Sequence, residues 1–329
     1  MLATALTCSN RIVAIHTIHL SYTRFMLDSQ KIQSFFAVVE HRSLSSAALA
    51  LRVSQPTLTR QMQGLESDFK TPLFLRSGRG MTLTEAGQRL YSGLQGIDRQ
   101  LRSLREDVAA SLIEPTGEVA VGIPPSPRRL IAVPLVQQFA RANPRVTVRI
   151  VEETSGQLRD LVANGVLDIA ITNSHEPMHG VSAEPLGREP LLLVGPRTAK
   201  LSMVKPIPLT ALAQYPLILT NLPNSLRVII ETGLKVEGLQ PNTRVVADAL
   251  PLMTDLVTAG LGYTVLPACG VRALLKERAL TASPIENLSI TWMVAKPLGR
   301  SLSLAAQRFY DAIVAIAARQ VVSGVWQSG

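Results

Sequence analysis

The chain has 329 residues, more than one ordinary core requires and enough for two domains. Hydrophobic residues make up 47% and charged residues 17%, which excludes an intrinsically disordered protein. Lysine and arginine outnumber aspartate and glutamate by 33 to 24, and the net charge of +9 favours a polyanionic partner such as nucleic acid. Aromatic residues amount to 4%, too few for a surface that stacks single-stranded bases.

The cysteines and the apolar runs restrict the class further. Cys8 and Cys269 are too few and too far apart for a disulfide framework or a zinc site. No apolar run approaches the roughly 18 residues of a membrane span. We expect a cytoplasmic protein with no membrane partner, no metal and no cofactor. Residues 1–25 are expected to be a disordered extension. They lack a small-residue cleavage site, which disfavours a signal peptide, and Met26 is an alternative start.

Three helices in quick succession are predicted at the start of the first domain. Apolar residues repeat near a 3.6-residue period in the segment 27–39. An alanine-rich segment begins at Ser45, and its small residues allow close helix crossing. Ser54 is a good N-cap for a third helix, and Pro56 is tolerated in its first turn.

Two short helices around a tight turn predict a helix-turn-helix, whose second helix normally enters the major groove of DNA. The first turns of that helix carry Gln55, Thr57, Thr59 and Arg60. In the major groove, glutamine commonly hydrogen-bonds to adenine and arginine to guanine. Six basic residues and two acidic ones lie in the segment 42–79. A solvated polar face of an ordinary helix is the alternative.

Residues 27–87 resemble the DNA-binding domain of the LysR-type transcriptional regulators. The matching segments are Phe35–Val38, Ser43–Ala48, Ser54–Gln61, Leu65–Glu66, Pro72–Phe74, Arg76 and Leu83–Gly87. The resemblance implies a winged helix-turn-helix over residues 26–83, with the recognition helix at 54–67 and a two-stranded wing at 73–83. The expected DNA-contacting residues are Ser54, Gln55, Pro56, Thr57, Thr59, Arg60, Gln63, Arg76 and Arg79.

The chain departs from the family pattern after the recognition helix. The family commonly has a leucine-glycine pair where this chain has Phe69 and Lys70. A left-handed lysine costs about 1 kcal/mol, so a locally different turn is expected. Thr57 and Thr59 replace small residues or serine, which leaves the base preference open.

A long helix is predicted after Thr84, with a hinge at its end, so that helix and hinge cover residues 84–116. Its apolar residues are spaced alternately by four and three, and they are Leu90, Leu94, Ile97, Leu101, Leu104 and Val108. This heptad seam predicts a partner helix. We expect a homodimer that places two recognition helices about 34 Å apart on an inverted repeat. Packing against the chain's own next domain is the alternative. The flanking residues expected in solvent are Arg89, Arg99, Arg102, Arg105 and Glu106.

Residues 117–322 alternate strand and helix patterns, which is typical of an α/β fold. Strands are predicted at 119–123, 146–150 and 167–171, and helices at 130–142 and 157–163. This part resembles the LysR-type effector domain, which is similar to periplasmic solute-binding proteins. The resemblance implies two α/β lobes around a ligand cleft, with chain crossings near Leu186–Leu193 and Pro284–Leu288.

Ligands of such sheets bind beyond the carboxyl ends of the strands, where helix N-termini attract anions. Ser126 is expected to cap a helix there. The expected effector-binding residues are Pro125, Ser126, Thr172, Asn173, Thr220, Asn221 and Asp248. Simple helix capping and turn closure are the alternative for each. Arg128, Arg129 and Arg227 either reinforce an anion site or lie in solvent.

We therefore expect a transcriptional regulator that is not an enzyme and whose binding to double-stranded promoter DNA responds to a small, anionic organic effector. A homotetramer is expected, with RNA polymerase as a further partner. The alternatives are a solute-binding or a redox-sensing protein of the same fold. For an enzyme, Cys269 would be the nucleophile and His175 or His179 its base, but no spacing links them.

Overall fold

The computed structural model describes residues 28–77, 80–109, 114–173 and 180–328, so the predicted extension lies outside the described residues. The chain divides into two compact units, the first ending at Leu94 and the second beginning at Gln95. Of the described helices, none has the length and apolar character needed to cross a membrane.

The first unit is a helical domain with a small hairpin. Its elements are α1 (Ser29–His41), α2 (Leu44–Leu51), α3 (Gln55–Phe69), β1 (Phe74–Ser77), β2 (Gly80–Leu83) and the start of α4 (Glu85–Ala109). The first three helices enclose an apolar core that contains Phe35, Leu58 and Leu65. The strands β1 and β2 pair antiparallel. The predicted winged helix-turn-helix is thus confirmed.

Each of the first three helices has a hydrogen-bonding cap at its beginning and a left-handed basic residue at its end. The N-caps are Asp28, Ser43 and Ser54, and the left-handed residues are Arg42, Arg52 and Lys70. The expectation of a different turn at Lys70 is therefore wrong. A cation near a helix C-terminus interacts favourably with the helix dipole, which offsets part of the left-handed cost.

Side-chain hydrogen bonds join the wing to its neighbours within the first unit. A carboxylate oxygen of Glu66, on α3, accepts from the backbone N–H of Leu73 at 2.8 Å. The hydroxyl of Thr84 donates to the carbonyl of Pro72 at 2.8 Å and accepts from the N–H of Gly87 at 2.9 Å. These bonds hold the base of the hairpin against α3 and α4.

The second unit is an α/β domain. Its strands are β3 (Gly117–Ile123), β4 (Val146–Glu152), β5 (Ile169–Asn173), β6 (Val181–Pro196), β7 (Leu217–Leu219), β8 (Thr243–Val246), β9 (Tyr263–Pro267) and β10 (Leu280–Pro297). Its helices are α5 (Val133–Ala142), α6 (Ser155–Ala163), α7 (Ser225–Val236), α8 (Leu250–Thr258), α9 (Ala268–Lys276) and α10 (Leu304–Val322). Short 3₁₀ helices lie at Arg197–Ala199 and Leu209–Gln214.

Within the described residues, eight strands form one sheet in the order β4-β3-β5-β10-β6-β9-β7-β8. The three strands at one end and the three at the other are parallel among themselves. The long antiparallel strands β6 and β10 run through both halves, and their register shifts between Pro284 and Ser289. We call the half around β3–β5 the first lobe and the half around β7–β9 the second lobe. The two predicted crossings lie on β6 and β10.

The entry to α5 differs from the prediction. The helix begins with a π-helical turn, Arg128–Ala132, in which the N–H of Val133 bonds the carbonyl of Arg128. Pro127 occupies the cap position without a side-chain hydrogen bond, so Ser126 does not cap this helix. The cap position falls one residue later than predicted, on a proline whose side chain has no hydrogen-bonding group.

The second half of α4 packs on its own domain through one face. Arg99 is 13% exposed and forms ion pairs with Glu118, at 2.6 Å, and with Asp168. A Cβ added at Gly96 would lie 1.7 Å from the carbonyl oxygen of Asn164, so glycine permits this close approach. The expectation that Arg99 lies in solvent is wrong, because two carboxylates of the domain compensate its charge.

The other faces of α4 remain open. Arg89, Arg102 and Arg105 are exposed, as predicted. Three residues of the heptad seam, Ile97, Leu101 and Leu104, are more than half exposed. The side chains of Glu106 and Val108 lie outside the described ones. The helix thus contacts its own domain on one face and presents an apolar stripe on another.

Candidate functional site

The recognition helix α3 separates its apolar from its polar residues. Leu58, Met62 and Leu65 are buried in the core of the first unit. Six of the predicted DNA-contacting residues on or before this helix are exposed, and they are Ser54, Gln55, Pro56, Thr57, Arg60 and Gln63. Thr59 is half-buried. The exposed set forms a hydrogen-bonding surface at the helix N-terminus.

Some of these side chains also stabilise the helix itself. The hydroxyl of Ser54 accepts from the N–H of Thr57 at 3.3 Å and bonds its hydroxyl at 2.7 Å. The amide oxygen of Gln55 accepts from the hydroxyl of Ser45 at 3.1 Å, which leaves the amide NH2 group available as a donor. Arg60 has no ion pair within the described part of the chain.

The wing contributes one predicted contact that the structure describes. Arg76 is exposed on β1, opposite Met81 of β2. The N–H of Met81 donates to the carbonyl of Arg42 at 2.8 Å, which ties the hairpin to the end of α1. Arg79 lies outside the described residues.

A cleft between the lobes of the second unit encloses a cavity of about 60 Å³. Five predicted effector-binding residues line it, namely Pro125, Ser126, Asn173, Thr220 and Asp248. Thr172 and Asn221 do not. Thr172 is fully buried, and successive strand residues point to opposite faces, so Asn173 takes the cleft position. Asn221 is exposed and donates its N–H to Asp248 at 2.8 Å.

Further lining residues were not predicted from the sequence. They are Thr154, Ser155, Asn224, Ser225 and Trp292, together with apolar residues of the second lobe. Thr154 and Asn224 are N-caps of α6 and α7, with side-chain oxygens that accept from backbone N–H groups. A polar cap at a predicted helix start could have indicated these two residues. Trp292 gives no such signal, because its place depends on the crossing strand β10.

Three helices begin at the cleft wall. Residues at the N-termini of α6, α7 and α8 line the cavity, and they are Ser155, Ser225 and Leu250. Helix N-termini carry unpaired N–H groups and partial positive charge. Asp248 is the acidic residue in the lining, and its carboxylate accepts from the N–H of Asn221. The cleft therefore offers converging donors together with one carboxylate.

The lobes are joined by a hydrogen bond across the cleft. The hydroxyl of Ser225, in the second lobe, donates to the amide oxygen of Asn173, in the first, at 2.7 Å. The N–H of Asn173 donates to the hydroxyl of Ser155 at 3.0 Å. Arg227 pairs with Glu231 and donates to the carbonyl of Thr220 at 3.4 Å, so its charge is partly compensated. A ligand between the lobes would compete with the Asn173–Ser225 bond.

A buried carboxylate connects the crossing strands. Glu189, on β6, is 1% exposed. It accepts from the indole N–H of Trp292, on β10, at 2.6 Å and from the backbone N–H of Cys269 at 2.8 Å. Burial raises the pKa of Glu189, although these hydrogen bonds partly oppose the shift. In the sequence, an acidic residue inside the predicted crossing Leu186–Leu193 is the signal that indicates Glu189.

Cys269 lies in surroundings that disfavour a reactive thiol. Burial raises its pKa well above the usual value, and the neighbouring Glu189 carboxylate raises it further. The thiolate is the nucleophilic form, so a thiol held neutral reacts slowly. His175 and His179 lie outside the described residues. The geometry supports neither the nucleophile nor the redox alternative for Cys269.

Comparisons with known proteins cover both units. Residues 29–88 match the family model described as a bacterial regulatory helix-turn-helix protein of the lysR family, and residues 113–318 match the LysR substrate binding domain. The chain is 28% identical over 300 residues to the nitrogen assimilation regulatory protein nac of Klebsiella aerogenes, covering 89% of this chain and 96% of that protein. It is 31% identical over 247 residues to the HTH-type transcriptional regulator BbuR of Bordetella bronchiseptica, covering 74% and 75%.

A solved structure shows the same fold. The structure of full-length CbnR complexed with its target DNA superposes on this chain with a TM-score of 0.63. The two chains are 21% identical, and the match covers 88% of this chain and all of CbnR. LysR regulators bind DNA and small-molecule effectors and oligomerise. The helix-turn-helix model matches the first unit and the substrate-binding model matches the second. This chain therefore belongs to the LysR family of DNA-binding transcriptional regulators with an effector-binding domain.

Proposed function

We propose that this regulator reads an inverted-repeat promoter site through the exposed N-terminus of α3. The observation that carries the proposal is the exposed set Gln55, Thr57, Arg60 and Gln63, which lies opposite the buried Leu58. Gln55 and Arg60 supply donors for base edges, and Ser54, Pro56 and Thr59 shape the helix start. Arg76 and Arg79 of the wing contact phosphates beside the groove.

The second recognition helix comes from another copy of the chain. Ile97, Leu101 and Leu104 keep an apolar stripe exposed at heptad spacing on α4. A stripe of this kind is stabilised when a second helix covers it. We propose that residues 84–116 form the dimer connection between a DNA-binding domain, 26–83, and an effector domain, 117–322. The homotetramer, contact with RNA polymerase and the cytoplasmic location belong to the same proposal.

The effector proposed for the cleft is a small organic anion. The N-termini of α6, α7 and α8 favour a carboxylate there, and Ser126 and Thr220 add hydroxyl groups. The present cavity of about 60 Å³ is far smaller than the roughly 300–1,000 Å³ of most small-molecule sites. Binding therefore requires the lobes to separate, and the effector shifts the balance between two lobe arrangements.

The DNA interface is tested by Arg60→Ala, with fluorescence anisotropy on the protein's own promoter fragment and on random duplex. If Arg60 reads a base, promoter binding weakens by about 1–3 kcal/mol while binding to random DNA changes little. Lys235→Ala, at an exposed lysine of α7 outside both the DNA-binding domain and the dimer connection, is the control and leaves both affinities unchanged. Equal losses on the two duplexes would reassign Arg60 to a phosphate contact.

The cleft is tested by a thermal-shift screen of small carboxylates and amino acids on the full chain. Ser126→Ala and Thr220→Val each remove the shift produced by a hit, because each takes one hydroxyl donor from the cleft. Thr172→Val is the control, since its hydroxyl is buried, has no hydrogen-bond partner among the described residues and does not line the cavity. If the shift survives in both Ser126→Ala and Thr220→Val, the effector lies elsewhere.

A further inference from the structure

A second cavity of about 420 Å³ adjoins the effector cleft. Pro125, Ser126 and Leu250 line both cavities and form their common wall. Small-molecule sites usually have volumes of about 300–1,000 Å³. The second cavity lies within that range, whereas the cleft, at about 60 Å³, lies far below it. We call the larger cavity the basic pocket. It is large enough for an organic molecule in the lobe arrangement that the structure shows.

The mouth of this cavity carries an excess of positive charge. Its lining contains four exposed cationic side chains, Arg128, Arg129, Arg272 and Lys276. Arg128 forms an ion pair with Glu152 at 3.3 Å. The other three have no ion pair within 4 Å among residues 28–77, 80–109, 114–173 and 180–328. Arg272 interacts electrostatically with the buried Glu189, but without an ion-pair contact. An anion at this mouth would meet several uncompensated charges.

The walls of the basic pocket are mostly apolar. They include Leu130, Leu250, Pro251, Ala273 and Leu274. Apolar walls stabilise a ligand body by about 25 cal/mol for each Å² of apolar surface that is removed from water. An inorganic anion would leave these walls unused, and a neutral apolar molecule would leave the cations unused. The lining fits a molecule with both characters.

We propose that the basic pocket binds an amphipathic organic anion, independently of the ligand in the effector cleft. The ligand has an aromatic or short aliphatic body with a carboxylate, sulfonate or phosphate group. Arg128 and Arg129 belong to the first lobe, and Arg272 and Lys276 belong to the second. A ligand that contacts both pairs favours the present lobe arrangement over an open one. The pocket is therefore a second regulatory input to the same two-state element.

The test uses two fluorescent probes on the full-length chain. Anilinonaphthalene sulfonate has an aromatic body and one negative charge, and phenylnaphthylamine has nearly the same body without the charge. The variant Arg272→Gln/Lys276→Gln removes two rim charges, and Ala273→Trp fills the pocket. Lys235→Gln, an exposed lysine of α7 outside the pocket, is the matched charge control. Thermal melts verify that each variant folds.

The proposal predicts different responses of the two probes. The double variant raises the Kd of the sulfonate by about fivefold or more. The reason is that it removes two positive charges that attract the sulfonate group at the pocket mouth. The Kd of the neutral probe stays nearly unchanged. Ala273→Trp abolishes binding of both, and Lys235→Gln changes neither. Unchanged sulfonate binding in the double variant, or no binding by the wild-type chain, would overturn the proposal.

A cleft variant separates this pocket from the effector site. Thr220 lines the cleft and not the basic pocket. We expect Thr220→Val to leave binding of the sulfonate probe unchanged, even where it weakens an effector found in the carboxylate screen. If Thr220→Val and the double variant both remove the probe, it sits in the cleft and the second site is wrong. A failed carboxylate screen together with a positive probe result would contradict the cleft assignment alone.

Discussion

The two units place their polar side chains differently. In the first unit, Ser34 is the buried polar residue among those described, and the groups assigned to DNA lie on the surface of α3. In the second unit, polar residues are buried where the lobes meet. They include Ser126, Ser155, Asn173, Glu189 and Thr220. The first unit exposes its polar side chains on the surface of an apolar core, whereas the second unit buries polar side chains in its interior.

This difference decides how mutations act. A surface contact of α3 can be removed without disturbing the core behind it, so binding and stability separate there. A buried polar group at the lobe junction contributes to stability as well as to the site. Its removal leaves a buried partner without a hydrogen bond, which costs free energy of unfolding. Stability measurements on paired variants therefore test the comparison directly.

The largest expected effect is in the core of the first unit. Leu58 is fully buried on α3, whereas Leu49, on α2, is 82% exposed. We expect Leu58→Ala to lower the free energy of unfolding by about 3–4 kcal/mol, because it leaves a cavity. Leu49→Ala should change it by less than about 0.5 kcal/mol. Urea unfolding of the two variants measures both values, and equal effects would mean that the core is not packed as described.

The next effect concerns Glu189 at the lobe crossing. Glu189→Leu removes the acceptor for the indole N–H of Trp292 and for the backbone N–H of Cys269. We expect a loss of about 2–3 kcal/mol in the free energy of unfolding, from two buried donors without partners. Glu189→Gln keeps one acceptor oxygen and should cost less. A neutral or stabilising Glu189→Leu would show that this network does not support the fold.

The same residue predicts a dependence on pH. Burial raises the pKa of Glu189 in the folded state, so folding favours the protonated form. Its contribution to stability is complete below the ordinary glutamate pKa and is lost as pH rises through the raised folded pKa. We expect the Tm of the wild-type chain to fall relative to that of Glu189→Gln as pH rises above the ordinary glutamate pKa of about 4.3. A Tm difference that stays constant with pH contradicts this reading.

A smaller effect is expected at the inner face of α4. Arg99→Met breaks the ion pairs with Glu118 and Asp168 and should cost about 1–2 kcal/mol, since Glu118 is 40% exposed and solvent screens part of the interaction. Arg102→Ala, on the same helix, removes an exposed pair with Asp98 and should cost less than about 0.5 kcal/mol. Chemical denaturation of both variants makes the comparison.

The pair also predicts an acid dependence. Desolvation alone would raise the pKa of Glu118, but hydrogen bonds from Arg99 and Arg149 lower it. The stabilisation is therefore present above the ordinary glutamate pKa and is lost as pH falls through the lowered value. Arg99→Met should remove part of this acid dependence. An unchanged acid transition would mean that Glu118 gains nothing from Arg99.

The smallest effect is at the end of the recognition helix. Lys70 has φ 53°, in the left-handed region that favours glycine. We expect Lys70→Gly to raise the free energy of unfolding by about 0.5 kcal/mol. Glycine relieves the left-handed backbone strain, but the loss of the positive charge at the helix C-terminus offsets part of that gain. Thermal melts of Lys70→Gly and Lys70→Ala measure it, and alanine should not stabilise.

Local signals were enough for most of the first unit. Ser54, Pro56 and the apolar spacing of α3 predicted the helix and its exposed face, because these signals act within a few residues. The heptad spacing of α4 likewise predicted an apolar stripe. The spacing did not reveal that Gly96 and Arg99 face the chain's own domain, since their partners Asn164, Glu118 and Asp168 come from distant segments.

The sequence by itself determined the two domain types, the recognition helix, and the polar strand ends from which Asn173 and Thr220 reach the cleft. Periodicity and capping act over short stretches of chain and can be read one segment at a time. Only the tertiary structure decided that Thr172 lies outside the cleft, that Glu189 joins the two crossings, and that four cations share one pocket. Each of these features depends on residues from segments that are far apart in the sequence, and a pattern within one segment does not specify which distant segment packs against it.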